Sequence, residues 1–400
     1  MKKSVAGIDP SWLRDRTAVV RVDFNVPLEG GRITDDHRLR AAVPTLELLT
    51  DAGAKVVLLS HLGRPEGRDP ELSLAPVAER LAELLGRPVR FVGELDPAKV
   101  AQAVAEVPAG GIALLENTRF LDGDADNDAG LAASWATLGD VFVNDAFGVA
   151  HRAHASTSGL AQAMIARGGD AVAGLLMAKE LRFLEEALRD PERPFTGILG
   201  GSKVSGKIGV ISALLGRVDR LLIGGAMANT FFLALGHHVG SSLVEEDSLD
   251  LATSLMEEGG ERLVLPVDCV VAHELRPGAS ARTVALCEVG DDDKIVDIGP
   301  ETRALFRAAI ASSKSILWNG PMGVFEIEPF DEGTIAIAEA VAEACDRGAL
   351  GVIGGGDSAA AVERAGLADR VTHVSTGGGA SIKLLAGSRL PGLDSLTDEA

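Results

Sequence analysis

The sequence predicts an α/β fold of two domains, each a parallel sheet flanked by helices, and its length, its alternation of elements and its strand-end loops carry this reading. Its 400 residues exceed what one hydrophobic core usually organises, so the chain divides, and two domains leave a cleft between them. Short β-branched runs alternate with Ala/Leu/Glu-rich helical patterns along almost the whole length, as in parallel strands joined by helical crossovers. Each apolar run ends in a distinctive loop, and ligands of open parallel sheets sit beyond the carboxyl ends of the strands.

In chain order, the first half offers four strand candidates: AVVRVDFNV from Ala18, AKVVLLSHLGRP from Ala54, GIALLENTRF from Gly111 and DVFVNDAFGV from Asp140. A helical pattern from about Ala173, AGLLMAKELRFLEEALRDPERP, is stopped by Pro191 and Pro194 and reads as an interdomain helix at the domain boundary. The second half offers FTGILGGSK from Phe195, DRLLIGGAMANT from Asp219, SILWNGPMG from Ser315, ALGVIGGGDS from Ala349 and VTHVSTGGGAS from Val371. The run Leu221 to Val244 has no Asp, Glu, Lys or Arg. Its Gly pair, Asn229, Thr230, His237 and His238 make it a buried strand, a turn and a core helix, not a membrane span.

A formal net charge of −20 argues against nucleic acid or an anionic membrane as partner and leaves room for anionic small molecules at local basic clusters. Cys269, Cys287 and Cys345 lack the spacing of a metal knuckle and suit reduced thiols in a cytoplasmic protein. MKKSVAGIDPSW has two lysines but no apolar stretch before Asp9 and Pro10, so it does not read as a secretory signal.

The two halves end their strands in different materials. The first presents side chains: Arg21, Asp23, Asn25, His61, Arg64, Arg119 and Arg152. Guanidinium forks suit a small, multiply charged anion, although any one of these arginines is equally well a structural ion pair. Arg38 alone reads as a helix-face charge. The second half presents backbone, in loops whose missing Cβ atoms let N–H groups approach a ligand.

GSKVSGKI, Gly201 to Ile208, nearly matches the phosphate-binding pattern G-x-x-x-x-G-K-[ST], but Ile208 stands where a metal-binding hydroxyl is needed. Lys203 and Lys207 remain, one turn apart at a helix start, as an anion site; ordinary exposed helix lysines are the alternative, more credible for Lys207 than for Lys203. GGGDSA, Gly354 to Ala359, fits G-x-G-x-x-A, but no acidic residue follows at the distance where one would hold a ribose hydroxyl. Asp357 within it would repel a bare pyrophosphate, so it reads either as a cation ligand or as a helix N-cap. Glu326, after NGPMG, is placed to accept from ribose hydroxyls or to be a surface charge.

RVDFNVPL, SHLGRP, LLENTRF, NDAFGVAHRAHAS, GGSKVSGKIGVI, WNGPMGVFE, GGGDS and STGGGAS occur in that order, and the ordered set closely resembles the phosphoglycerate kinase family nearly end to end. The resemblance implies two Rossmann-like domains: residues 1–172 for 3-phosphoglycerate and residues 193–384 for nucleotide. Residues 173–192 become the interdomain helix and hinge, and the tail from about 385 to 400 packs back onto the first domain. By motif position, Asp23, Asn25, Arg38, His61, Arg64, Arg119 and Arg152 would hold the glycerate and its phosphate, with Arg21 bracing the strand end. Lys203, Lys207 and Asn319 would meet the nucleotide phosphates and Glu326 the ribose. Gly354, Gly355, Gly356, Asp357 and Ser358 would line the nucleotide site, Asp357 binding Mg²⁺. Arg38, Lys203, Gly378 and Gly379 would act on the transition state. Against the family pattern, Leu233 replaces a common lysine, Lys383 a common acid and Gly206 a common Asp, the last loosening a helix start.

The implied reaction is reversible, Mg²⁺-dependent phosphoryl transfer between ATP and the carboxylate of 3-phosphoglycerate, giving ADP and 1,3-bisphosphoglycerate, by a cytoplasmic monomer. Its acceptor is already ionised at neutral pH, so no general base is required, and charge neutralisation is the main demand. Two competing readings exist. A Rossmann oxidoreductase rests on GGGDSA and is opposed by the missing ribose acid. A non-catalytic nucleotide-binding regulator is opposed by the arginine-rich strand ends of the first half.

Overall fold

The computed structural model describes residues 2–399, and the side chains of all of these except 185–189. It divides into two compact units, Met1–Leu181 with Arg389–Ala400, and Arg182–Ser388. The division falls inside the helix Leu175–Arg189, which the proline-stopped pattern predicts.

In the first unit the strands are β1 (Thr17–Arg21), β2 (Leu28–Glu29), β3 (Arg32–Ile33), β4 (Lys55–Leu59), β5 (Val89–Val92), β6 (Ile112–Leu115), β7 (Val141–Asn144) and β8 (Asp170–Ala173). Six of them form one parallel sheet in the order β5-β6-β4-β1-β7-β8; β2 and β3 make a separate two-residue ladder. The interior strands β6 and β7 are buried at every position, which is why their sequences show no alternation and run apolar up to Asn144. Val20, Leu46, Leu58, Leu114 and Val143 share one core with the helix His37–Asp51.

The expected strand AVVRVDFNV stops at Arg21. Beyond it the Val22 N–H still reaches the Leu59 carbonyl, but the Phe24 N–H is taken by the Ser60 hydroxyl at 2.9 Å, and a side chain thus replaces the next rung of the ladder. Asp23 and Asn25 therefore lie past the strand's carboxyl end.

The second unit holds β9 (Phe195–Leu199), β10 (Arg220–Ile223), β11 (Leu263–Val264), β12 (Asp268–Ala272), β13 (Ala281–Ala285), β14 (Lys294–Ile298), β15 (Ser315–Asn319), β16 (Leu350–Gly354) and β17 (His373–Val374). Its main sheet is parallel, in the order β11-β10-β9-β15-β16-β17. The charge-free run after Leu221 is β10 followed by the buried helix Met227–Ala234. A second, antiparallel sheet, β13-β12-β14, was not expected. β13 is largely exposed, and β12 and β14 carry acidic residues within their apolar runs, so no clean apolar period marks the sheet.

Candidate functional site

In each unit one pair of neighbouring strands marks a reversal of the strand order, and in open parallel sheets a ligand crevice lies beyond the carboxyl ends at such a point. In the first unit the reversal lies between β1 and β7, where Arg21 and Asn144 are in register.

Arg21 is fully buried. Its Nε donates to Ser156 Oγ at 3.0 Å, one terminal nitrogen donates to the Val22 carbonyl, and the other faces His61 Nδ1 at 3.2 Å. A buried guanidinium requires a counter-charge. Asp124, itself fully buried, supplies it and accepts from the Ser156 N–H at 2.9 Å. Burial pushes the Asp124 carboxyl up, but the charge of Arg21 and the hydrogen bond from Ser156 hold it below its ordinary value. Asp124 escapes sequence reasoning because LDGDADND offers four acids at even spacing and only the tertiary fold buries one.

Around this pair the other predicted residues converge. Arg38, in the first turn of the helix His37–Asp51, donates to Asp23 Oδ2 at 2.7 Å. Asp23 Oδ1 is buried without a hydrogen-bond partner, 3.8 Å from His61 Nδ1. Asn25 Oδ1 accepts from the Gly63 N–H at 2.8 Å, and Arg119 donates to the Gly63 carbonyl. Arg152 Nε lies 3.2 Å from His151 Nε2, and Arg64 is exposed. Burial first, then the charges of Arg152, Arg21 and Arg64, pull the Arg119 pKa down against Asp124. Burial, Arg21 and Arg119 hold His61 well below its ordinary value, so it is neutral at pH 7. Arg21, Arg38, Arg64, Arg119 and Arg152 outnumber Asp23 and Asp124, and the excess positive charge suits a compact anion.

In the second unit the reversal lies between β9 and β15, and Lys207 bridges it. Its Nζ donates to the Gly200 carbonyl at 2.5 Å, to the Asn319 carbonyl at 3.1 Å and to Asn319 Oδ1 at 2.9 Å, which occupies all three of its donors. Burial brings its pKa down to about 8 despite the charge of Asp357. The alternative of an ordinary exposed helix lysine thus fails for Lys207, which is half-buried, whereas Lys203 is exposed and precedes the turn Ser205–Lys207. Because a lysine only donates, Asn319 must turn its oxygen to it, which leaves Asn319 Nδ2 buried and unpartnered.

A cavity of about 390 Å³ collects Lys203, Lys207, Asn319, Gly355, Gly356, Asp357, Ser358, Gly378 and Gly379. Two helices begin at its wall, Gly356–Arg364 and Gly378–Leu385, and their unpaired first N–H groups carry partial positive charge. Backbone crowding excludes a side chain at Gly320, where φ is +98° and a Cβ would collide with the Gly200 carbonyl oxygen. Ser358 Oγ accepts from the Gly320 N–H at 2.6 Å and fixes the loop after β15. Gly354, the last residue of β16, is buried beneath this wall and does not line it. Asp357 is not a helix N-cap; Gly355 holds that position and no side chain caps the helix.

A second cavity, about 280 Å³, is lined by apolar side chains that include Phe232, Leu243, Val296, Met322 and Val324, with Glu326 also on its wall. Gly201, Ser202, Pro321 and Asp357 line both cavities. Part of its apolar wall comes from β14, a strand the sequence reading missed, and from the helix Met227–Ala234, and the rest from the loops that carry Leu243, Met322 and Val324.

A guanidinium crevice in one α/β unit, and in the other a glycine-walled cradle continuous with an apolar pocket, define a phosphotransferase that handles two phosphorylated ligands. The family model for phosphoglycerate kinase matches residues 8–388. Phosphoglycerate kinases of Thermosipho africanus and Chloroflexus aurantiacus are 51% and 53% identical, covering 100% and 99% of this chain and 98% and 99% of their own lengths. Among solved structures, phosphoglycerate kinase from Coxiella burnetii superposes with a TM-score of 0.85 at 40% identity, and that from Pyrococcus horikoshii with 0.87 at 31%, each comparison covering 99% of this chain and 98% of the other. The chain belongs to the phosphoglycerate kinase family. Its reaction is reversible phosphoryl transfer between ATP, used with a divalent metal, and the carboxylate of 3-phosphoglycerate.

Proposed function

We propose that the two crevices divide the ligands, the first unit holding 3-phosphoglycerate and the second the magnesium nucleotide. The observation that carries this is the contrast in materials: five arginines at one switch point, glycine N–H groups and helix N-termini at the other. In this reading Arg64, Arg119 and Arg152 meet the phosphate, while Asp23, Asn25, Arg38 and His61 meet the glyceryl hydroxyl and carboxylate. His61, neutral, accepts or donates a hydrogen bond without adding charge. The unpartnered Asp23 Oδ1 is an acceptor poised for a hydroxyl.

The nucleoside occupies the apolar cavity with Glu326 at the ribose, and the phosphates run into the cradle toward Asn319 Nδ2, Gly378 and Gly379. Asp357, on the wall of both cavities, fits a magnesium ion: one hard carboxylate oxygen from the protein, the rest from phosphate and water. When bound, that ion neutralises phosphate charge. The chain's own contribution is electrostatic. Lys203 and Arg38 offset the charge spread over the transferring group, and the N–H groups of Gly378 and Gly379 receive its oxygens. No proton has to be removed, since the acceptor is a carboxylate. The acidic overall charge and three free cysteines support a cytoplasmic enzyme, and we propose that it works as a monomer.

Titration calorimetry tests the division. Arg152→Ala should weaken 3-phosphoglycerate binding about tenfold, the scale of one lost charge-assisted pair, and leave Mg-ADP unchanged. Asn319→Ala should do the converse. Equal losses of both ligands in either variant would refute it.

A further inference from the structure

Lys203 and Lys207 lie on a segment with no cap of its own: neither the turn Ser205–Lys207 nor the helix Ile208–Leu215 has a side-chain cap, and a Cβ at Gly206 would touch nothing within 4 Å. Such a segment is free to fray. Lys207 is fixed at its far end by its hydrogen bonds to Gly200 and Asn319, and one carboxylate from elsewhere holds the stretch between Lys203 and Lys207. Glu245 Oε2 accepts from the Ser205 N–H at 2.9 Å, and Oε1 accepts from the Ser205 hydroxyl at 2.6 Å. Burial pushes the Glu245 carboxyl up, but the Ser205 hydroxyl and N–H, the Val204 N–H and the charge of Lys203 together hold it below its ordinary value.

Glu245 is itself anchored to the helix that supplies part of the wall of the apolar cavity. Its N–H donates to Thr230 Oγ1 at 3.1 Å, and two residues earlier the Leu243 carbonyl accepts from Asn229 Nδ2 at 3.1 Å. Asn229 and Thr230 belong to the buried helix Met227–Ala234, and Asn229 and Leu243 both line that cavity. The carboxylate therefore ties the wall of one cavity to the lysine-bearing loop of the other.

We propose that Glu245 is a positioning residue for phosphoryl transfer, holding the Lys203–Lys207 loop in register with the nucleoside pocket through its bidentate grip on Ser205. The proposal rests on the reading that Lys203 works on the transferring phosphoryl group. A carboxylate near a polyanion is electrostatically adverse, so its benefit must lie in geometry. Gln at this position keeps one acceptor for the Ser205 N–H and offers an amide to the Ser205 oxygen, whereas Ala keeps neither.

Steady-state kinetics on Glu245→Ala, Glu245→Gln, Lys203→Met and the double variant Glu245→Ala/Lys203→Met test it. Glu245→Ala should lower kcat about tenfold, the scale of a lost charge-assisted contact pair, with KM for 3-phosphoglycerate unchanged. Glu245→Gln should recover most of this, and the Ala effect should vanish in the Lys203→Met background, because the cation held against the transferring group is then gone. If Gln behaves as Ala does, charge and not geometry is at work and the proposal falls. It falls equally if the Ala effect is additive with Lys203→Met, or if Glu245→Ala changes only the melting temperature. An inert Lys203→Met would instead overturn the reading of Lys203, which separates the two failures.

Discussion

The two crevices occupy the same topological place and are made of opposite materials. In the first unit the charge sits on side chains, and the most buried of them, Arg21, is matched by buried Asp124 through Ser156. In the second the polarity sits in the main chain, and Lys207, half-buried, spends its donors joining the ends of β9 and β15. Arginines of this kind keep their charge at any pH the protein meets, so the first site is permanently cationic. The glycine site has fixed dipoles and one amine brought down to about 8, so its charge is adjustable.

The contrast breaks most sharply at Lys203. Lys203→Met should cut kcat by roughly 10²-fold or more with little change in either KM, because a cation aimed at developing charge acts in the transition state. A pure KM effect would make it a ground-state ligand, like Arg64, Arg119 and Arg152 of the other unit.

Metal demand gives the next largest effect. Asp357→Ala should raise the magnesium concentration needed for half-maximal activity about tenfold, in line with loss of a direct or supporting ligand, whereas Ile208→Ser should not lower it. The opposite result would restore the nucleotide-loop motif that Ile208 interrupts.

The smallest effect is a pH signature that separates the units. As pH rises from 7 through about 8, Lys207 loses its proton, so Mg-ADP affinity should fall a fewfold while 3-phosphoglycerate affinity holds. Lys207→Arg should flatten that slope, and calorimetry at three pH values would reveal equal slopes for both ligands if the contrast is false. Stability behaves oppositely on the acid side. Burial holds His154 down to about 4 from 6.5, and His61 well below 6.5. The unfolded chain thus takes up protons that the fold refuses. This contribution is present above about 6.5 and is lost as pH falls toward 4.

Much of this was written locally. β-Branched runs buried on both faces announced the parallel sheets, Pro191 and Pro194 ended the helix on which the division of the units falls, and Gly-rich strand ends marked the cradle, because each follows from neighbours in sequence. β13, short and largely exposed, left no such mark. Nor did the burial of single polar groups. Asp124 is one of four nearby acids, Lys207 was the lysine more easily taken for an exposed helix residue, and Glu245 is 40 residues from the serine it holds. Residue type and spacing settle which groups stand at a strand end. Which of them loses water, and which partner then compensates the lost hydration, depends on groups brought together across the sheet, and that only the tertiary structure decides.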